Sequence, residues 1–341
     1  MGRSVFRLPA VVMVIAALSS TLGSAAPPQP SRTVETPTRL GASMPVDQVD
    51  PRPARTPQAT PSPGPSRTAP VPAAVARLRP TLRPIPAPVI DAQEVVLVNL
   101  DTGRFLWQSN GRAARAPASL TKIFTAMVAV DLMGLNTVVT VPDSIRELPA
   151  DSTFMGLTPG DRVTVRELLY GVFLNSGNDA AETLASAATS RATFIAAMNT
   201  KAARLGLRTT HFLNPTGLDA SGHYSSADDL AIAAIYLESH YPGLVGIAAT
   251  PAITVAATAT HKAYVLLNLD KLLHTYPGTY GLKTGWTEQA LGCLITTSSR
   301  GGHRLLGVML GAPNGTAYAQ MPKVLDYGFE LLGVLPRPPG A

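Results

Sequence analysis

Proline divides this 341-residue chain into a part that can fold and a part that cannot. More than half of its 31 prolines fall between Pro27 and Pro88, mixed with Ser, Thr, Ala and Arg. Each proline fixes φ and removes a backbone donor, and the surrounding residues offer too little apolar surface to close a core. Residues 27–89 are therefore expected to be an extended, disordered linker. It would serve as a spacer, or as a tether whose arginines adhere to anionic polymers. Residues 90–335 remain as one folded domain, with 336–341 a short tail. Ahead of the linker, Arg3 and Arg7 precede an apolar run from Leu8 to Leu18 and the small residues Ser24-Ala25-Ala26. That order is the pattern of a secretory signal peptide. The run is shorter than the roughly 20 apolar residues of a membrane span. Residues 1–26 read as a signal peptide, with an uncleaved N-terminal anchor as the alternative. The protein is expected outside the cytoplasm, in the periplasm or cell wall, touching a membrane only through an uncleaved N-terminus.

The formal net charge of +6 invites a nucleic-acid reading, and its distribution argues against one. Residues 1–26 carry +2 and residues 27–90 carry +5, which leaves the rest of the chain at −1. A nucleic-acid-binding domain gathers its Lys and Arg on the folded surface, where they neutralise phosphates. No nucleic-acid partner is expected. A single cysteine, Cys293, excludes an internal disulfide framework and multi-cysteine metal sites. The six histidines are scattered, so no metal and no cofactor are expected.

In the folded part, Val95–Leu100 and Arg104–Gln108 flank the turn residues Asp101-Thr102-Gly103, which predicts a β-hairpin. A second hairpin is predicted from Gly292–Thr297 and Arg304–Leu310 around Arg300-Gly301-Gly302-His303. Between them, helical periodicity marks 123–133, 165–174, 179–188, 193–205 and 226–238, and a last amphipathic stretch covers 317–332. Strands at both ends with helices inserted between them predict an α+β domain, an antiparallel sheet joined to a helical lobe. The junction of two such lobes is a natural place for a cleft.

Three short motifs carry chemistry. Pro117-Ala118-Ser119-Leu120-Thr121-Lys122 opens a helix, and residues three apart share a face, so Lys122 can lie beside the Ser119 hydroxyl. A serine hydroxyl needs a base, and a lysine amine becomes one when burial or a nearby cation lowers its pKa. In Leu174-Asn175-Ser176-Gly177-Asn178-Asp179, Asp179 is expected to cap the next helix, leaving Ser176 and Asn178 in the connection before it. Their hydroxyl and carboxamide could relay a proton and hold a substrate amide. In Gly281-Leu282-Lys283-Thr284-Gly285-Trp286-Thr287, a cation and a hydroxyl on a strand edge can bind a carboxylate. Gly285 lets a substrate peptide approach and pair with that edge. Ser-x-x-Lys or Ser-x-Asn alone turns up about once by chance in a chain this long, and Lys-Thr-Gly in on the order of one such chain in ten. Here each occurs once, in this order and in fitting contexts.

With these motifs the chain resembles the serine-type D-alanyl-D-alanine carboxypeptidases, the low-molecular-mass penicillin-binding proteins. The similarity runs from about Ile90 to Leu332 and includes Pro117–Ala129, Leu168–Ala181, Leu205–Leu218 and Asn268–Gly285. It implies the β-lactamase/transpeptidase-like fold, a five-stranded antiparallel sheet with an inserted helical lobe. It also implies that Ser119 attacks the peptide carbonyl between two D-alanines of peptidoglycan stem peptides, forms an acyl-enzyme and releases the terminal D-alanine. Lys122 would be the base and Ser176 the proton relay to the leaving amine. Asn178 would position substrate and Lys122, and Lys283 and Thr284 would bind the terminal carboxylate. The backbone N–H groups of Ser119 and Trp286, reached past Gly285, would form the oxyanion hole. β-Lactam antibiotics would acylate Ser119 and leave slowly. Two departures matter. Gly177 stands where class A β-lactamases usually carry Asp, and no Glu-x-x-Leu-Asn follows, so efficient β-lactam hydrolysis is not expected. Neither the C-terminal β-domain nor the amphipathic anchor common in these carboxypeptidases is expected after the 317–332 stretch.

A D,D-endopeptidase cutting peptidoglycan crosslinks would carry the same motifs. A non-enzymatic wall protein that merely holds D-Ala-D-Ala would have no use for a nucleophile–base pair. Crosslinking transpeptidase activity is a further reading, but no residue identifies an acceptor groove. Cys293, in an apolar strand, reads as a core residue. His211 and His223 read as parts of structured turns, and His223 with Asp228 or Asp229 is an incomplete zinc set. Asn214-Pro215-Thr216-Gly217 is a turn that could equally border the cleft or lie away from it. The 317–332 stripe is expected to pack on the sheet.

Overall fold

The computed structural model describes residues 85–334. The predicted signal or anchor (1–26), all but the last few residues of the linker (27–89) and the tail (336–341) lie outside the described residues. The first hairpin is present as β1 (Glu94–Asn99) and β2 (Arg104–Ser109). Asn99 Oδ1 accepts the Asp101 and Thr102 N–H groups at 2.8 and 3.2 Å, and Gly103 takes φ +69° to reverse the chain. A 3₁₀ turn, Ala118–Thr121, leads into α1 (Lys122–Leu132). A small ribbon, β3 (Val138–Thr140) and β4 (Arg162–Thr164), precedes α2 (Val165–Phe173), α3 (Asn178–Ala188) and α4 (Arg191–Arg204). Next come α5 (Ala227–His240), α6 (Pro242–Ala248) and a second ribbon, β5 (Ala252–Val255) with β6 (Tyr264–Leu267). After the short α7 (Leu272–Thr275), the chain returns to the sheet as β7 (Thr279–Thr287), β8 (Leu291–Arg300) and β9 (His303–Ala312). It then ends in α8 (Ala317–Leu331).

The helix starts follow local chemistry. Thr164 and Glu167 form a reciprocal capping box on α2, and Ser190 and Ser226 cap α4 and α5 by accepting the N–H groups of Thr193 and Asp229. Pro242 in the first turn opens α6. One start differs from expectation. The cap of α3 is Gly177, so Asn178 is the first helical residue and not part of the connection. Ser176, at φ +54°, bends the chain a residue earlier than the sequence shows. The Asp179 carboxylate is thereby released from capping and accepts the N–H groups of Met155, Gly156 and Leu157 instead.

The sheet order is β2-β1-β9-β8-β7, antiparallel throughout. It is the expected five-stranded sheet, and β7, expected only as an extended segment, is its edge strand. Strands from the two ends of the domain pair at its middle, with Val96 opposite Val308. Both faces of the sheet are covered. Val96, Val98, Ile295, Leu306 and Val308 face the core shared with the helical lobe. Val95, Leu97, Leu294, Leu305 and Met309 face a second core under α8, whose Met321, Leu325 and Phe329 are fully buried. Burial on both faces explains why these strands read as continuous apolar runs rather than as alternating ones. The α8 stripe packs on the sheet as expected, and Met321 Sδ fills the space that a side chain at Gly307 would take. Among the described residues, no single helix is long and apolar enough to cross a membrane.

Truncating Met321 leaves a cavity on the α8 side of the sheet. Met321→Ala is expected to lower the unfolding free energy by about 2–4 kcal/mol. Urea denaturation checks this, as a lower midpoint at unchanged slope.

Candidate active site

The fold brings all three sequence motifs to one cleft, where the edge strand β7 meets the helical lobe. Ser119 lies in the 3₁₀ turn, half-buried, just after Ala118, which is held at φ +49°. A left-handed alanine costs energy and persists only where neighbours over-determine it. Two glycines do so here. A Cβ at Gly217, itself at φ +83°, would overlap the Ala118 carbonyl oxygen. A Cβ at Gly285 on β7 would lie 3.1 Å from both Ala118 Cβ and Ser119 N. The turn is clamped between the 214–217 loop and the edge strand, and neither glycine tolerates a side chain without moving it.

Lys122 is fully buried, and its Nζ lies 2.8 Å from Ser119 Oγ. The same nitrogen donates to Asn178 Oδ1 at 2.7 Å and to the Thr216 carbonyl at 2.7 Å. Burial, reinforced by the positive charge of Lys283, holds this amine well below the usual lysine range. Asp179 and Glu182 oppose that shift. In the neutral amine, the two carbonyl oxygens take both hydrogens. The remaining tetrahedral direction, toward Ser119 Oγ, then carries the lone pair. The arrangement can therefore accept the serine proton without any side-chain rearrangement.

The second motif forms the opposite wall. Ser176 is buried, and its Oγ accepts from Lys283 Nζ at 3.0 Å. The corner is tied down on several sides. Thr153 Oγ1 donates to the Ser176 carbonyl, Asn178 N–H donates to the Thr153 carbonyl, and Gly177 N–H donates to Gly171. Lys122 Nζ spends one of its hydrogens on Asn178, which fixes the carboxamide with Oδ1 toward the amine and leaves the Nδ2 hydrogens for another acceptor.

On β7, Lys283 is 1% exposed, Thr284 and Gly285 are half-buried, and Trp286 is 53% exposed at the rim. Lys283 also donates to the Thr284 carbonyl at 2.8 Å. Burial lowers the Lys283 pKa to about 7, against the opposing charge of Asp270. Asp270 is itself 2% exposed and is pushed up to about 6 by burial. The cleft thus contains two buried lysines, one fitted for proton acceptance and one close to its protonation midpoint at neutral pH.

Several contributors were not legible in the sequence. Asn214-Pro215-Thr216-Gly217 does border the cleft. Asn214 Oδ1 gathers the Thr216 N–H, the Thr216 hydroxyl and the Gly217 N–H, which turns the Thr216 carbonyl onto Lys122. The turn signal was present, but nothing in it named the partner. Asp179 was readable only as a cap, and Asp270 carried no signal at all. Cys293 is a buried core residue whose thiol burial pushes up to about 12. Among the described residues, no group of three or more His, Cys, Asp or Glu side chains could hold a metal ion.

Comparison with known proteins extends these observations beyond the motifs. The D-alanyl-D-alanine carboxypeptidase family profile matches residues 83–314. The D-alanyl-D-alanine carboxypeptidase DacF of Bacillus subtilis is 36% identical over 246 residues, which cover 70% of this chain and 62% of that protein. The D-alanyl-D-alanine carboxypeptidase DacB2 of Mycobacterium tuberculosis is 35% identical, over 72% of this chain and 85% of that one. The crystal structure of the Streptomyces K15 DD-transpeptidase superposes with a TM-score of 0.65 at 32% identity, covering 72% of this chain and 100% of that one. This chain therefore spans less than two thirds of the Bacillus relative's length. A match of that extent, over the residues that build both the sheet and the cleft, makes this chain a member of the D-alanyl-D-alanine carboxypeptidase family.

Proposed function

We propose that this chain is a serine D,D-carboxypeptidase that removes the terminal D-alanine from peptidoglycan stem peptides through an acyl-enzyme on Ser119. The observation that carries this reading is the Lys122 amine, depressed by burial, with two hydrogens committed to carbonyls and its fourth direction on Ser119 Oγ. Lys122 takes the Ser119 proton as Oγ attacks the carbonyl between the two D-alanines. The backbone N–H groups of Ser119 and Trp286 receive the oxyanion, and such a donor contributes about 3–4 kcal/mol. Lys283 and Thr284 hold the terminal carboxylate, and Asn178 Nδ2 holds a substrate amide carbonyl. As the C–N bond breaks, Ser176 gives its proton to the departing amine and is reprotonated from Lys122. One proton has then moved from the Ser119 oxygen to D-alanine. Water attacks the ester and frees the shortened peptide.

A β-lactam enters the same sequence, but its amine stays attached after the ring opens. It shields the ester and makes these antibiotics covalent inhibitors. The substrate is a wall polymer, so the enzyme acts outside the cytoplasm, in keeping with the export segment expected at residues 1–26.

Full-length protein is expected to release D-alanine from a diacylated Lys-D-Ala-D-Ala tripeptide. Ser119→Ala, folded by circular dichroism, is expected to lose at least about a thousandfold. Mass spectrometry should find penicillin bound covalently to Ser119 in the wild type alone. Cleavage of crosslinked muropeptides without D-alanine release would replace this reading with an endopeptidase. A folded protein that neither cleaves nor forms the adduct would be a wall-binding protein.

The pH dependence follows from the two lysines. Catalysis needs Lys122 neutral and Lys283 protonated. As pH rises through about 7, free enzyme loses the Lys283 proton and with it the carboxylate site. kcat/KM, which reports free enzyme, is therefore expected to fall above about pH 7. A bound carboxylate stabilises the protonated amine, so the matching fall in kcat should come at higher pH. Coincident alkaline limbs in the two profiles would remove Lys283 from this role.

A further inference from the structure

We infer that His223 is a positioning residue, a strut that holds the Ser119–Lys122 turn in register with the loop that orients the lysine. His223 is only 4% exposed, and its ring is engaged at both nitrogens. The Leu213 backbone N–H lies 3.1 Å from Nδ1, and Thr121 Oγ1 lies 2.9 Å from Nε2. A backbone N–H can only donate, so Nδ1 must accept. The proton of the neutral ring is therefore on Nε2 and is donated to the Thr121 hydroxyl. Burial, with the nearby charge of His211, lowers the ring pKa to about 4, so this tautomer persists through neutral pH.

The placement gives the strut its consequence. Thr121 is fully buried, beside Lys122 and two residues from Ser119, in the turn that contains the left-handed Ala118. Leu213 immediately precedes Asn214, whose side chain turns the Thr216 carbonyl onto Lys122. His223 thus joins the segment carrying nucleophile and base to the segment that aims the base. The clamp at this junction is tight, since a Cβ at Gly217 would also lie 2.9 Å from Thr121 Oγ1. Phe212 packs edge-on against the imidazole, with centroids 5.6 Å apart, and against Phe124 of α1 at 4.7 Å. The ring therefore has little freedom to find other partners. Removing the strut lets the turn and the loop shift independently, which lengthens the Ser119–Lys122 contact without touching Lys283 or Thr284. A displacement of about 1 Å in such a pair can cost on the order of a hundredfold in rate.

This inference rests on the serine-peptidase reading above, and its test separates the two. The rate of covalent labelling of full-length protein by a fluorescent penicillin is measured for wild type, Thr121→Val, Thr121→Ser, His223→Ala and the Val/Ala double variant. Melting temperatures are recorded for each. Thr121→Val and His223→Ala are expected to slow acylation by about 10- to 100-fold, with the reversible binding constant unchanged within about twofold. The double variant should lose no more than the worse single, because both remove one interaction. Thr121→Ser keeps the hydroxyl and should stay within about threefold of wild type. A folded Thr121→Val with the wild-type rate, or losses that multiply in the double variant, would overturn the strut. If His223→Ala fails to fold, the Val and Ser variants decide.

An unlabelled wild type would sink the peptidase reading by itself. The His223 ring ¹⁵N spectrum then decides the strut. An Nε2–H tautomer whose shift moves in Thr121→Val supports it, and an Nδ1–H tautomer or an indifferent ring overturns it.

Discussion

A lysine amine buried among other charges has few stable arrangements, and the cleft is organised around the one it adopts. Lys122 is fully buried, and its three partners come from three separate parts of the chain. Ser119 comes from the turn before α1, Asn178 from the start of α3, and the Thr216 carbonyl from the 214–217 loop. Leaving any of these contacts unmade would strand a buried polar group, at a cost of about 1–3 kcal/mol or more. The lysine thus acts as a gauge for the helical lobe, because the elements must meet at the right distances before its hydrogens are satisfied. The tight closures at Ala118, Gly217 and Gly285 are the steric counterpart of that polar requirement.

The electrostatics follow from the same crowding. Burial shifts both lysines toward the neutral form, and the charge of Lys283 adds to that shift at Lys122. Acids moderate the shift from behind: Asp179 and Glu182 toward Lys122, and Asp270 toward Lys283. Asp179 has a second task, since its carboxylate gathers three successive N–H groups from the 155–157 loop and so buttresses the Ser176 corner. The outcome is asymmetric. The lysine beside Ser119 is lowered by burial and by its charged neighbour together, while burial alone brings the one on the sheet edge to a midpoint near neutrality.

Fold class and motif placement were legible because they rest on local signals. Helix periodicity, turn glycines and the two apolar hairpins placed the strands of the sheet and the main helices, and motif spacing placed Ser119 beside Lys122. The rest required tertiary information. Asp179 has the sequence signature of a cap, yet the positive φ of Ser176 starts the helix at Asn178 and frees its carboxylate. The two short ribbons, β3–β4 and β5–β6, are three- and four-residue strands whose partners lie beyond any local window. The Thr216 carbonyl is backbone and leaves no compositional trace. His223 read as a turn histidine, and its meaning appears only when Thr121, about a hundred residues earlier, is seen against it.

Pairing β1 with β9 has a consequence for how the molecule comes into being. Val96 and Val308 lie side by side at the centre of the sheet although about 210 residues separate them in the chain. Contacts of such sequence separation form late, because closing the intervening loop costs entropy before the pairing repays it. The central strands cannot pair until the last hairpin has emerged, and the edge strand that completes the cleft hangs from that same hairpin. A growing chain therefore carries Ser119 and Lys122 through most of its synthesis without the edge strand beside them. The turn that holds Ser119 gains its second clamp, at Gly285, only once β7, β8 and β9 are in place.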